Sequence, residues 1–134
     1  MRVAFGLSAD YACLDAGGKA TMVGMFTVLH VAQLPAIHPH LFLLLGFDQE
    51  PDDVGRHIAF DIHWTDPEGR RLRQCGHGSV SVAAHATDGP SRTTIAVPVD
   101  NLQVATYGPH AFTIELEGQP PFEIPIFVGA LNAR

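Results

Sequence analysis

Cationic side chains are scarce in this sequence: eight Lys and Arg stand against fourteen Asp and Glu, a formal net charge of −6. Nucleic-acid binding rests on Lys and Arg neutralising phosphates, so this balance argues against such a partner. The nearest basic cluster, Arg70, Arg71 and Arg73, has Glu68 beside it and reads as a solvated hairpin. Cysteine is almost absent. Cys13 and Cys75 make too thin a set for a disulfide framework and fit a reducing, cytoplasmic setting. Long apolar runs are missing as well: Leu41-Phe42-Leu43-Leu44-Leu45 is of strand length, far short of the ~20 residues that span a bilayer. The opening Met1 to Leu7 could begin a signal peptide, but Asp10 cuts its apolar region short. No segment carries a sustained helical period with caps, which leaves little or no helix.

What is present is turn chemistry between runs of strand length. The chain has 134 residues, 46% of them hydrophobic, and reads as one domain over residues 1–134. A chain of this size buries roughly two-thirds of its unfolded surface, so folding requires neither a metal nor a disulfide. Turn signals fall at Asp15 to Gly18, Pro35 to Pro39, Glu50 to Gly55, Asp66 to Gly69, Asp88-Gly89-Pro90, Gly108-Pro109 and Glu117-Gly118. That spacing predicts an all-β fold, a single antiparallel β-sandwich of about seven to nine strands, immunoglobulin-like or C2-like.

The clearest strand covers Arg56 to Thr65, with Ile58, Phe60, Ile62 and Trp64 on one face and His57, Ala59, Asp61 and His63 on the other. Asp66-Pro67-Glu68-Gly69 reads as a type I turn in which Asp66 closes against Arg70. Counting back from it sets Trp64 opposite Leu72, His63 opposite Arg73 and Asp61 opposite Cys75. A final hairpin turns at Glu117-Gly118 and buries Phe112, Ile114 and Leu116 against Phe122, Ile124, Ile126 and Val128. Pro120, Pro121 and Pro125 make its last strand an edge or irregular at its start. Val3, Phe5, Leu7, Ala9 and Tyr11 share one face of a first strand, and Ala20 to Val31 reads as one second strand interrupted at Gly24. The Leu41 to Leu45 run is apolar on both faces, the mark of a central strand or of one that faces a partner subunit.

Eight histidines invite a search for a metal. His38-Pro39-His40 has the His-x-His spacing of cupins, which alternation would place on one strand face. The acidic residue a cupin needs downstream is replaced by Leu44 and Leu45, and Ala32 stands where the upstream Gly should be. Asp61, His63 and Cys75 could converge across the hairpin, a set of borderline ligands suited to zinc. A solvent-facing ladder in which Asp61 and His63 pair with Arg73 explains the same residues. His57 is too far along the strand to share an ion with His63. Cys75 and His77 suggest a thiol and base, but no helix N-terminus is available to lower the thiol pKa. Gly17-Gly18-Lys19-Ala20-Thr21 fails as a phosphate loop, since Cys13 replaces the first Gly and Ala20 the magnesium-binding hydroxyl. Asp48, Glu50, Asp52 and Asp53 form a faint version of a C2-type calcium loop.

Ala9-Asp10-Tyr11-Ala12, Gly17-Gly18-Lys19, Val23-Gly24-Met25-Phe26 and Leu34 to His40 leading into the Leu-rich strand form one pattern. It continues through Pro51 to Gly55, Asp66 to Gly69, Tyr107 to Phe112 and Ile124-Pro125-Ile126. The pattern resembles an uncharacterised bacterial family of small β-sandwich domains of unknown function, over nearly the whole chain. The resemblance implies a fold and carries no catalytic residue, cofactor or ligand with it. The expectation is therefore a non-catalytic interaction module that self-associates or docks to another protein, since no catalytic constellation is present. The alternatives are a metal- or small-ligand-binding domain using His38, His40, Asp61, His63 or Cys75, and a calcium-dependent module.

Overall fold

The computed structural model describes residues 1–82 and 91–131. The expected turn at Asp88-Gly89-Pro90 and His85 lie outside the described residues. Alternation and turn chemistry build nine strands here: β1 (Arg2–Leu14), β2 (Ala20–Met25), β3 (Val28–Val31), β4 (Ala36–Gln49), β5 (His57–Thr65), β6 (Arg71–Ser81), β7 (Ser91–Val104), β8 (Gly108–Leu116) and β9 (Phe122–Ala130). One short 3-10 turn, Pro51–Asp53, follows β4. The strands form two sheets, sheet 1 in the order β2-β1-β4-β7 and sheet 2 in the order β3-β9-β8-β5-β6.

The inner faces pack on each other through the side chains that alternation selects. Leu41, Leu43, Leu45 and Phe47 of β4 meet Ile58, Phe60, Ile62 and Trp64 of β5, Phe112, Ile114 and Leu116 of β8, and Ile124, Ile126 and Val128 of β9. β4 is central in its sheet, between β1 and β7, as its two-sided apolar run requires. Gly6 of β1 packs tightly on the other sheet: a Cβ there would lie 2.7 Å from Cδ1 and Cγ1 of Ile124.

Several expectations need correction. Ala20 to Val31 is two strands in two sheets, and β3 runs parallel to β9, so the sandwich is not wholly antiparallel. The Phe26 N–H donates to the Ser8 carbonyl in sheet 1, and the Phe127 N–H donates to the Thr27 carbonyl in sheet 2. The chain thus changes sheets between adjacent residues without reversing, and meets β9 travelling its own way. Gly24, at φ 70°, sits in β2 where the Asp10 side chain occupies the space a Cβ would take. β9 is an edge only along its first half: β3 covers Phe127–Ala130, while Phe122–Ile126 has β8 alone. Exposed Pro125 falls in that half, where its missing N–H costs the ladder nothing.

The Asp66 turn forms as expected, with the Gly69 and Asp66 N–H groups donating to the Asp66 and Arg70 carbonyls. Beyond it the register slips. Thr65 pairs with Arg71, Trp64 with Arg73, His63 with Gln74, Ile62 with Gly76 and Asp61 with His77. Leu72 and Cys75 are the extra residues of two bulges, each adding a residue to β6 that β5 does not match. A bulge in β1 between Val3 and Phe5 likewise turns Val3 against the core and leaves Phe5 on the outside.

Candidate functional site: an apolar outer sheet face

The residues singled out from sequence are not brought together. His38 pairs with buried Leu102, lies against the Phe26 ring and keeps its Nε2 buried without a partner. His40 pairs instead with exposed Asp100, its Nδ1 2.5 Å from that carboxylate. The two imidazoles therefore point to opposite sides of β4. The cause lies opposite Pro39, where Asn101 adopts φ 53° and breaks the alternation of both strands. Asp61 accepts from the Gln74 amide at 2.7 Å, and Cys75 is not opposite it. Burial pushes the Cys75 thiol up, with the nearby Arg73 charge opposing, so it stays protonated at neutral pH. Arg73 does not pair with His63 or Asp61; its Nη1 donates to the carbonyls of Asp100 and Asn101, at 2.8 and 3.1 Å. Among the described residues no group of three His, Cys, Asp or Glu is placed to hold a metal ion.

The acidic loop is held by cations of the chain itself. Asp48 accepts from Arg92 at 2.7 Å and Arg2 at 3.2 Å. The Arg92 hydrogen bond holds its carboxyl below the usual range against the cost of burial, and the two guanidinium charges add to this. Asp53, buried, takes the Met1 amino group at 2.8 Å, the Glu50 N–H at 2.8 Å and Arg56 at 3.3 Å. The amino group and the Glu50 N–H hold its carboxyl down.

A hollow of about 580 Å³ opens where the edges of β6 and β7 meet, lined by Trp64, Leu72, Arg73, Asp100, Asn101, Gln103 and Ala105. The bulge at Leu72 and the left-handed Asn101 shape its two sides. Trp64 stacks on His110 with centroids 4.8 Å apart and an interplanar angle of 16°. The His110 Nδ1 bonds the Gly108 carbonyl, so its Nε2 and the Trp64 Nε1 are both buried without a partner. A guanidinium and amides beside an indole suit a small polar ligand with an apolar portion.

A contiguous apolar surface lies on sheet 1. Its outer face is a stack of cross-strand rows fixed by register: Phe5, Gly46 and Thr94; Leu7, Leu44 and Ala96; Met25, Ala9, Phe42 and Pro98. Val23 and Tyr11 continue it, beside His40 and Asp100. Tyr11, Val23 and Met25 are 50%, 58% and 57% exposed, while Leu44 and Ala9 lie covered in the middle of the face. The Tyr11 and Phe42 rings meet edge to face at 5.3 Å, and His40 stands edge-on to Phe42 at 4.9 Å. One end is closed by Arg2, Asp48 and Arg92, with the Arg92 guanidinium 5.4 Å above the Phe5 ring. The outer face of sheet 2 is polar over β5, β6 and the neighbouring part of β8, while Val28 of β3 and Phe127 of β9 form an exposed apolar pair on the same sheet. His57, Asp61 and His63 of β5 lie beside His77, Ser79 and Ser81 of β6 and Thr113 and Glu115 of β8. A Ser81–His57 hydrogen bond and an Arg71–Glu115 ion pair run across it.

Sequence reasoning found the pieces of the apolar face, namely the β1 alternation and the two-sided Leu41 run. It missed that β2 extends the face through Val23 and Met25, because the Val23-Gly24-Met25 stretch lacks regular alternation around its glycine. A family model describing a family of unknown function, DUF6941, matches residues 4–129. The chain belongs to the DUF6941 family. No curated protein and no solved structure matches this DUF6941 chain. No helix among its described residues is long and apolar enough to cross a membrane.

Proposed function

We propose that this DUF6941 protein is a non-catalytic interaction module that docks another protein chain on the outer face of sheet 1. The observation that carries the reading is the continuity of the apolar rows across the strands of sheet 1, where sheet 2 sets charged and hydroxyl groups over β5, β6 and β8 and a separate apolar pair, Val28 and Phe127, on β3 and β9. A contiguous apolar surface on a folded chain marks an interaction site, whereas singly scattered apolar residues do not. The exposed Tyr11 and Met25 and the half-buried Phe42 beside them are of the types enriched in interface cores.

The same proposal includes an immunoglobulin-like reading of the fold. β4 to β9 take the places of strands B, C, C′, E, F and G, with β1–β2 as an added hairpin beside B. Trp64 on β5 supports it, since a buried Trp on strand C is a mark of such sandwiches; here it packs on Phe112 of β8.

The test is site-specific photo-crosslinking in cells. A photoreactive residue at Val23, on the apolar face, forms a discrete protein adduct, and the same residue at Glu115, on the polar face, does not. Equal yields from both positions contradict the reading.

A further inference from the structure

The bulge at Leu72 does more than shift the hairpin register: it turns a charge towards the opposite sheet. We propose that the hollow between β6 and β7 binds a small carboxylate carrying an apolar body, with the Arg73 guanidinium holding the carboxylate and Trp64 and Leu72 the body. The site lies at the open side of the sandwich, where the last strand of each sheet meets the other, and is independent of the docking face on sheet 1.

Residues directly opposite in an antiparallel pair share one face of the sheet. Trp64 belongs to the inner face, and its partner on β6 is Arg73. Without the bulge Leu72 would stand there, apolar against apolar, and Arg73 would turn outward. Bulges re-aim side chains in this way beside binding sites. The Arg73 Nη1 reaches across to sheet 1 and donates to the carbonyls of Asp100 and Asn101, at 2.8 and 3.1 Å. Those bonds fix the guanidinium and leave Nε and Nη2, the donors of its side-on fork, without an acceptor among the described residues. A counter-ion is missing too. The other arginines among the described residues, Arg2, Arg56, Arg70, Arg71 and Arg92, each pair with a carboxylate, and Arg73 pairs with none. Asp100 meets Arg73 with its carbonyl, while its carboxylate is taken up by His40 at 2.5 Å.

An unneutralised arginine, pinned in place in a chain of net charge −6, is a preset anion site. Its free fork of two parallel N–H donors matches the two oxygens of a carboxylate. One guanidinium also balances one carboxylate, whereas the near-double charge of a phosphate monoester would stay half neutralised beside Asp100. Next to the fork the wall is apolar, formed by the Trp64 indole and by Leu72, which is 49% exposed, and the amides of Asn101 and Gln103 complete the lining. The volume of about 580 Å³ falls within the roughly 300–1,000 Å³ of small-molecule pockets.

Heteronuclear NMR titration of the isotopically labelled chain provides the test, with benzoate, phenylacetate and hexanoate as probes, each beside its neutral amide. The sequence holds a single Trp, so the Trp64 indole N–H gives one resolved signal from the wall of the hollow. The expected result is that at least one carboxylate shifts the Trp64 indole and Arg73 signals saturably, with a Kd of about 1 mM or below, and that its amide binds about tenfold or more weakly. Arg73→Lys keeps the charge but loses the fork and weakens binding about tenfold. Leu72→Ser, at an exposed bulge, weakens it several-fold, and circular dichroism confirms that both variants fold. No saturable shift of these two signals with any of the three carboxylates overturns the site. Amides that bind as well as the carboxylates overturn the anion as its ligand. Shifts that Arg73→Lys and Leu72→Ser both leave unchanged place the binding elsewhere and overturn the assignment.

Discussion

Gly6 faces the opposite sheet with no room for a side chain, and replacing it tests the packing of the two sheets. Gly6→Ala places a Cβ 2.7 Å from two carbons of Ile124, and a third contact at 3.1 Å falls on the Phe122 ring. Carbon atoms pack best at ~3.5–4.0 Å, so the neighbours must retreat by roughly 1 Å. Ile124 cannot turn away, because it is itself buried and enclosed by the core. Overpacking of this kind costs about 1–3 kcal/mol. Gly76→Ala is the matched control. Its Cβ would lie 3.4 Å from Ile62 and Val97, an ordinary contact. That change removes a flexible glycine from a strand and is expected to stabilise by up to ~1 kcal/mol. Urea denaturation followed by Trp64 fluorescence measures both. A neutral Gly6→Ala, or a more damaging Gly76→Ala, would refute the tight packing of Gly6 on Ile124.

Three further outcomes follow from the geometry. Asp48 and Asp53 both have carboxyls held below the usual range, so their contribution is complete above about pH 4 and is lost as pH falls through their lower folded values. Stability measured against pH should therefore drop on the acid side, and Asp53→Asn should lower stability at neutral pH while flattening that acid limb; an unchanged limb refutes the assignment. Asp66 accepts the Arg70 N–H at 2.8 Å, the Glu68 N–H at 3.0 Å and the Arg70 Nε at 2.9 Å. Burial pushes its carboxyl up, but these donors outweigh it and hold the group down. Asp66→Ala leaves the turn without its fastening and should lower the melting temperature, whereas Glu68→Ala should not. Cys75, with its thiol raised by burial, should react with a disulfide reagent at pH 7.5 more slowly in the folded chain than in urea; equal rates would remove the case against it as a nucleophile.

Much of the architecture was legible because one-sided burial writes itself as a period of two. Ile58, Phe60, Ile62 and Trp64 were readable as a buried face, and all four are buried. The Asp66 and Glu117 turns were readable from residues that need positive φ, and Gly69 and Gly118 adopt 79° and 78°. The hairpin register was not, because the bulges at Leu72 and Cys75 leave the turn unchanged and shift only what lies beyond it. The separation of β2 from β3 was hidden for a different reason. The chain changes sheets through a single bend at Thr27, with no Gly or Pro there to mark it, so the sequence gives no sign of the new partner. His38 and His40 show the same limit: spacing implies a shared face, and the irregularity at Asn101 across the ladder undoes it. The docking face needs β2, β1, β4 and β7 in one sheet, which is a fact of topology and not of any one segment.

The most direct measurement of the central claim is hydroxyl-radical footprinting of the chain in cells and after purification. Met25 and Tyr11 stand on the outer face of sheet 1 and are both at least half exposed in the single chain. Tyr107, 45% exposed and outside that face, serves as the reference. A protein docked on this face predicts that Met25 and Tyr11 are together several-fold less reactive in cells than in the purified chain while Tyr107 stays constant. Reactivity at Met25 and Tyr11 that follows Tyr107 in both settings would contradict it.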